Sequence, residues 1–159
     1  MFENALRAAK LDVEFYNAVE HDDSLTAQAA VFVAVVGALT GLGRWVFSDG
    51  NLIRGVIMGV ITSLAAWLLW SAITTWVGVR LFDGTSDFKE MSRVLGFAHA
   101  PLILGVFGPL GVGVGSLWTV ASGIVAIREG MDFSLGKAIA TGGVGLILRL
   151  VAGWFLPFV

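Results

Sequence analysis

Thirty-four consecutive residues, Val94 to Ile127, contain no Asp, Glu, Lys or Arg, and a Gly-Pro-Leu-Gly break at positions 108–111 divides them near the middle. So long an apolar stretch constrains the chain more than any other feature. A bilayer core of about 30 Å takes about 20 apolar residues per helical crossing. The stretch therefore reads as two membrane helices folded into a tight, slightly short hairpin, either fully spanning or re-entrant. The composition extends this to the whole chain: 57% of residues are hydrophobic and 14% charged, against about a quarter charged in soluble domains. The fold expected is all-α, a polytopic transmembrane helical bundle in one domain over residues 1–159.

Several function classes fall away at this level. Without cysteine there is no disulfide framework, thiolate nucleophile or thiolate-held metal. A formal charge of −2 with no basic stripe argues against nucleic acid as a partner. Two histidines without acids at ligand spacing argue against a metal, and no cofactor is expected. No HExxH, nucleophile-base pair or phosphate loop is present, and Gly111-Val-Gly-Val-Gly lacks the strand and lysine of a nucleotide site. No catalysis is expected.

Residues 1–25 carry six acids and lack the basic-then-apolar order of a cleaved signal, so the first span should serve as its own insertion signal. Leu6, Ala9, Val13 and Tyr16 share one helical face, which predicts an amphipathic leader helix. Its polar face is acidic, favouring packing on the protein's own loops or a partner over anionic lipid. Asp23 or Ser24 can cap the next helix. Five spans follow, at about 26–47, 52–82, 88–108, 110–127 and 137–155. Asp87 with Glu90 makes a capping box for the third, and Pro101 should bend it and free a carbonyl near Phe97. A polar loop is expected over residues 128–136, with Ser134 capping the fifth span.

Small residues recur at helical spacing: Gly37 and Gly41 in span one, Gly55 and Gly59 in span two, Gly115 in span four, Gly142 and Gly145 in span five. Such strips let helix backbones approach closely in lipid. Three positions are chemically unusual for a span. Arg149 lies twelve residues beyond Lys137, roughly 18 Å along a helix at 1.5 Å per residue, where it either faces an interior or snorkels outward to pair with Asp49. Arg44 has the same two readings. His99 is either a proton relay or a histidine bonded to backbone near the proline.

For orientation, the leader and the loops after spans two and four hold Arg7, Lys10, Arg80, Lys89, Arg93, Arg128 and Lys137, whereas the opposite loops have Arg44 and Arg54 at their edges. This bias places the amino terminus in the cytoplasm and the carboxyl terminus outside.

The leader Leu11-Asp12-Val13-Glu14-Phe15-Tyr16, the Trp-rich span two ending Val77-Gly78-Val79-Arg80-Leu81-Phe82, and above all the run Leu95-Gly96-Phe97-Ala98-His99-Ala100-Pro101 resemble a prokaryotic member of the Yip (Ypt-interacting protein) membrane family, over nearly the whole chain. The resemblance implies five spans with a cytoplasmic amino terminus. Eukaryotic proteins of this type are associated with Rab-type GTPases and membrane shaping. Here the Asp-Leu-Tyr-Gly-Pro hallmark is missing and the amino-terminal domain is short, so GTPase binding is not expected to carry over. The function expected is protein or lipid interaction in a prokaryotic cytoplasmic membrane, with a homo-oligomer or another membrane protein as partner. The alternative is a small-solute or ion permease with a polar path near Arg149.

Overall fold

The computed structural model describes residues 2–46 and 51–155, with side chains described as far as Ile147. Seven α-helices and one 3-10 segment follow in order: α1 (Phe2–Ala9), α2 (Val13–His21), α3 (Leu25–Val46), α4 (Leu52–Phe82), α5 (Phe88–Ala98), the 3-10 segment (Ala100–Phe107), α6 (Pro109–Gly130) and α7 (Leu135–Phe155). Among the described residues, α3, α4 and α6 are long and apolar enough to cross a membrane. The all-helical class and these three apolar helices agree with the sequence reading. Asp49 and the Arg149 side chain lie outside the described residues.

The leader is two helices rather than one. Leu11 adopts a positive φ of 60°, and Asp12 caps α2 by accepting from the Phe15 amide at 3.0 Å. This break resets the helical phase. Ala8, Phe15, Tyr16 and Val19 are buried, while Leu6 and Val13 are exposed, so the stripe inferred from a continuous helix holds at Tyr16 and, half-buried, at Ala9. The carboxylate at the start of α3 also differs from expectation: Asp22, not Asp23 or Ser24, accepts a backbone amide there, from Ser24 at 3.0 Å.

Pro101 ends α5 instead of bending a continuing helix. The proline ring offers no donor and crowds the carbonyl four residues earlier, and the chain tightens to 3-10 geometry, with the Leu102 amide on the His99 carbonyl at 2.9 Å. The carbonyls released near Phe97 are taken by the His99 amide. Farther on, the polar loop is shorter than expected. Helix α6 continues through Arg128 to Gly130, and Met131 and Phe133 are buried. Ser134 does sit at the start of α7, its Oγ 3.5 Å from the Lys137 amide.

Helices α3 and α4 form the broadest contact, and α6 folds back on the 3-10 segment, which also packs on α3. Where α3 meets α4, a Cβ at Gly37 would lie 2.6 Å from the Gly59 carbonyl oxygen, one at Gly41 would collide with the Gly55 carbonyl, and one at Gly59 would lie 2.9 Å from the Gly41 Cα. These neighbours are backbone and cannot rotate away. Gly115 approaches the Pro101 carbonyl in the same manner, at 2.6 Å, whereas Gly142 and Gly145 meet only ordinary contacts of 3.4 Å. Gly41→Val is expected to destabilise the protein by about 1–3 kcal/mol through overpacking, read as a lowered unfolding midpoint in detergent. Gly113→Ala, with no neighbour within 4 Å of the added methyl, should leave the midpoint unchanged or raise it, since Ala is the better helix former.

Candidate functional site

The run from Met91 to Pro101 is buried at every position. Helix α5 begins with the capping box: Asp87 accepts from the Lys89 and Glu90 amides, and Glu90 accepts from the Asp87 amide at 2.8 Å. It then packs against α1, α2, α3, α4 and α6. Gly96 makes the approach to α3 close, because a Cβ there would lie 2.8 Å from that of Ala29. Phe97 sits edge-on to Phe15 at 5.4 Å and stacks on Phe32 at 5.9 Å between ring centres, joining leader and first long helix through one ring. Leu95 and Ala98 are fully buried beside it, and Trp67 donates its indole N–H to the Ser92 carbonyl at 2.8 Å.

Arg93 is the side chain that sequence reasoning misplaced. Counted among loop cations, it is only 3% exposed. Its guanidinium donates to the Val19 carbonyl at 3.3 Å, to the Glu20 carbonyl, and to the Asp23 carboxylate at 2.6 Å. The last carbonyls of a helix have no intrahelical partner, so Arg93 closes the end of α2 and ties it to the start of α3. The signal was present in the spacing: Glu90, Arg93 and Phe97 share a helical face that leads into the apolar run. Arg93→Met should leave the Glu20 carbonyl without its donor and the Val19 carbonyl with the Asp22 amide alone, at about 1–3 kcal/mol for the unsatisfied group. The leader should then become cleavable by trypsin at Arg7 and Lys10. Asp23→Asn should do much less, because the Asp23 side chain is 92% exposed and exposed pairs contribute about 0–1 kcal/mol.

Toward the other end of the leader, the Tyr16 hydroxyl lies 2.6 Å from the Ser122 Oγ, with the Ala8 carbonyl accepting at 3.3 Å. Trp118 donates to the Ala9 carbonyl at 2.9 Å. Burial pushes the Tyr16 phenol well above its usual range, so it stays a neutral donor. The contact of Ser122 with Tyr16, 106 residues away, was not visible locally.

Glu20, 7% exposed, has an Oε2 without a hydrogen bond. Burial raises its pKa above the ordinary 4.5, with Asp132 and Glu90 adding to the rise and His21 and Arg93 opposing it. His21 is raised above 6.5 by its bond to the Asn17 carbonyl and by Glu20. A carboxyl raised by burial destabilises the docked leader while ionised, and that cost disappears as pH falls through the raised value toward 4.5. The His21 contribution is present below 6.5 and lost as pH rises through its raised value. Both act in one direction above the range of Asp12 and Asp22, whose carboxyls are lowered below 3.8 by Arg7 and by Ser24 respectively. Amides of α2 should exchange more slowly at pH 5.5 than at pH 8 after correction for intrinsic rates. Glu20→Gln should slow them at pH 8 and flatten the dependence; faster exchange at the lower pH would reverse the sign.

Of the three polar span positions, the structure describes the side chains of Arg44 and His99. Arg44 is exposed near the end of α3. His99 is buried, its Nδ1–H donating to the Leu95 carbonyl at 2.7 Å and its ring edge-on to Trp70 at 5.6 Å, the bond that the backbone-satisfied reading requires. Arg149 belongs to α7, beyond the described side chains. No group of three or more His, Cys, Asp or Glu among the described residues is arranged to hold a metal. The described residues present a buried helix α5, a leader clamped to it, and an apolar exterior. In comparisons with known proteins, the family model described as Yip1 domain matches residues 13–156. No curated protein and no solved structure matches.

Proposed function

Because the chain belongs to the Yip1 domain family, we propose that it is a multi-pass protein of a prokaryotic cytoplasmic membrane that works through contacts with lipid and membrane partners, without catalysis. The observation that carries this reading is the direction of its large apolar side chains. Val31, Val35, Ile53, Ile57, Ile61, Leu68 and Leu117 face outward on the three long apolar helices, while Ser71, Thr74, Ser92, Thr119 and Ser122 turn inward. In lipid an apolar exterior costs nothing, and inside the bundle Ser71 donates to the Trp67 carbonyl, Ser92 to the Lys89 carbonyl, and Ser122 meets the Tyr16 hydroxyl.

In this reading α3, α4, the pair of α5 with the 3-10 segment, α6 and α7 are the five crossings. Eleven α residues at 1.5 Å and eight 3-10 residues at 2.0 Å supply roughly 32 Å if they run on in one direction, close to the thickness of the hydrocarbon. The amino terminus is cytoplasmic, on the positive bias of Arg7, Lys10, Arg80, Lys89, Arg128 and Lys137. The bias survives without Arg93, which is spent inside the protein. Partners meet the protein on its lipid-facing helices, and a second copy of the chain is one of them.

Single cysteines placed in this cysteine-free chain test the arrangement. On intact cells an impermeant thiol reagent should label Arg54→Cys and spare Thr85→Cys and Gly136→Cys, all exposed positions. The reverse pattern would invert the orientation, and a difference between Thr85 and Gly136 would rule out the five-crossing topology.

A further inference from the structure

Helix α4 has 31 residues, about 46 Å at 1.5 Å per residue, and so outruns a hydrocarbon core of about 30 Å. Its last two turns, with the start of α5, form an open groove of about 430 Å³ lined by Trp76, Val79, Arg80, Ser86 and Phe88 among others. The arrangement is layered. Trp76 is 58% exposed and Phe88 42%, giving an apolar wall. Arg80, one helical turn beyond Trp76 and two residues from the end of α4, is exposed and takes part in no ion pair among the described residues. Ser86 is buried at the groove floor and holds its hydroxyl only on the Asp87 carbonyl at 3.2 Å. The nearest acids in sequence are Asp83, at the end of α4, and Asp87, whose carboxylate is committed to the cap of α5.

We propose that this groove is a binding site for one anionic phospholipid, with its phosphate on the Arg80 guanidinium and the top of an acyl chain along Trp76, Val79 and Phe88. The inference rests on the membrane reading above and assigns that reading a specific lipid contact. Charge complementarity selects the occupant. An unpaired guanidinium at headgroup depth matches a phosphate oxygen pair, the indole beneath it suits the interface, and the cytoplasmic leaflet supplies anionic lipid. A zwitterionic lipid brings the same phosphate with a compensating cation and should bind less well.

The full-length protein, reconstituted in phosphatidylcholine vesicles containing equal mole fractions of either brominated phosphatidylglycerol or brominated phosphatidylcholine, supplies the test. The Trp76 contribution to fluorescence is isolated by difference from Trp76→Phe. Brominated phosphatidylglycerol should quench it with a relative association constant about fivefold higher, the effect of one cation near the surface. Arg80→Gln should abolish the preference, Arg80→Lys should restore most of it, and Lys89→Gln, outside the groove, should keep it. Equal quenching by the two lipids, or equal loss in Arg80→Gln and Lys89→Gln, would overturn the site, the second by showing a diffuse surface field. Protein that floats with the vesicles yet shows no Trp76 quenching by either lipid would mean that a second copy of the chain covers the groove, and the inference fails while the membrane reading stands. Protein that does not float defeats both.

Discussion

An uninterrupted run of eleven buried residues, Met91 to Pro101, has to be enclosed on all sides, and this requirement sets the positions of the other elements. A short helix surrounded by protein cannot leave its ends or its polar side chains unpaired. Its entry is closed by the capping box, its exit by the tightening into 3-10 geometry, and its one charged buried side chain, Arg93, by the carbonyls of α2. The core is therefore wrapped by a leader that would otherwise be a loose surface helix. Phe97, placed between Phe15 and Phe32, shows the same logic in apolar terms.

The leader is held by backbone as much as by side chains. Ala8, Ala9, Val19 and Glu20 each offer a carbonyl to a side chain from α5 or α6, or to Tyr16. These carbonyls are the ones that short helices leave without intrahelical donors. Two helices of eight and nine residues thus become part of a core that neither could form alone. Burial of Glu20 disfavours its ionised form, so the expected attachment of the leader is firmer at lower pH.

Outside the core, a second principle governs. The long helices meet through glycines whose neighbours are carbonyl oxygens and Cα atoms, at Gly37, Gly41 and Gly59, while their large apolar side chains point away from the bundle. This division suits a solvent as apolar as leucine, in which close backbone packing rather than the hydrophobic effect draws helices together. The groove at the end of α4 is where that apolar exterior meets Arg80, which takes part in no ion pair among the described residues, and the proposed lipid preference rests on that meeting.

Much was legible in the chain itself. Apolar run length placed α3, α4 and α6, the Asp87–Glu90 spacing located the start of α5, and the Leu95–Pro101 run marked the family, because each depends on neighbours within a few turns. Local pattern could not say that Leu11 would take a positive φ and rotate the leader, or that Pro101 would end a helix rather than bend it. Nor could it reveal that Arg93 faces carbonyls more than seventy residues earlier. A charge count treats every arginine near an apolar run alike, since one sequence contains no record of which surface will fold over it. Apolar character and the long helices were thus legible in composition and period; the buried place of α5, the docking of the leader and the exposure of Arg80 were decided by tertiary packing, which alone settles which polar groups lose water and must find a partner.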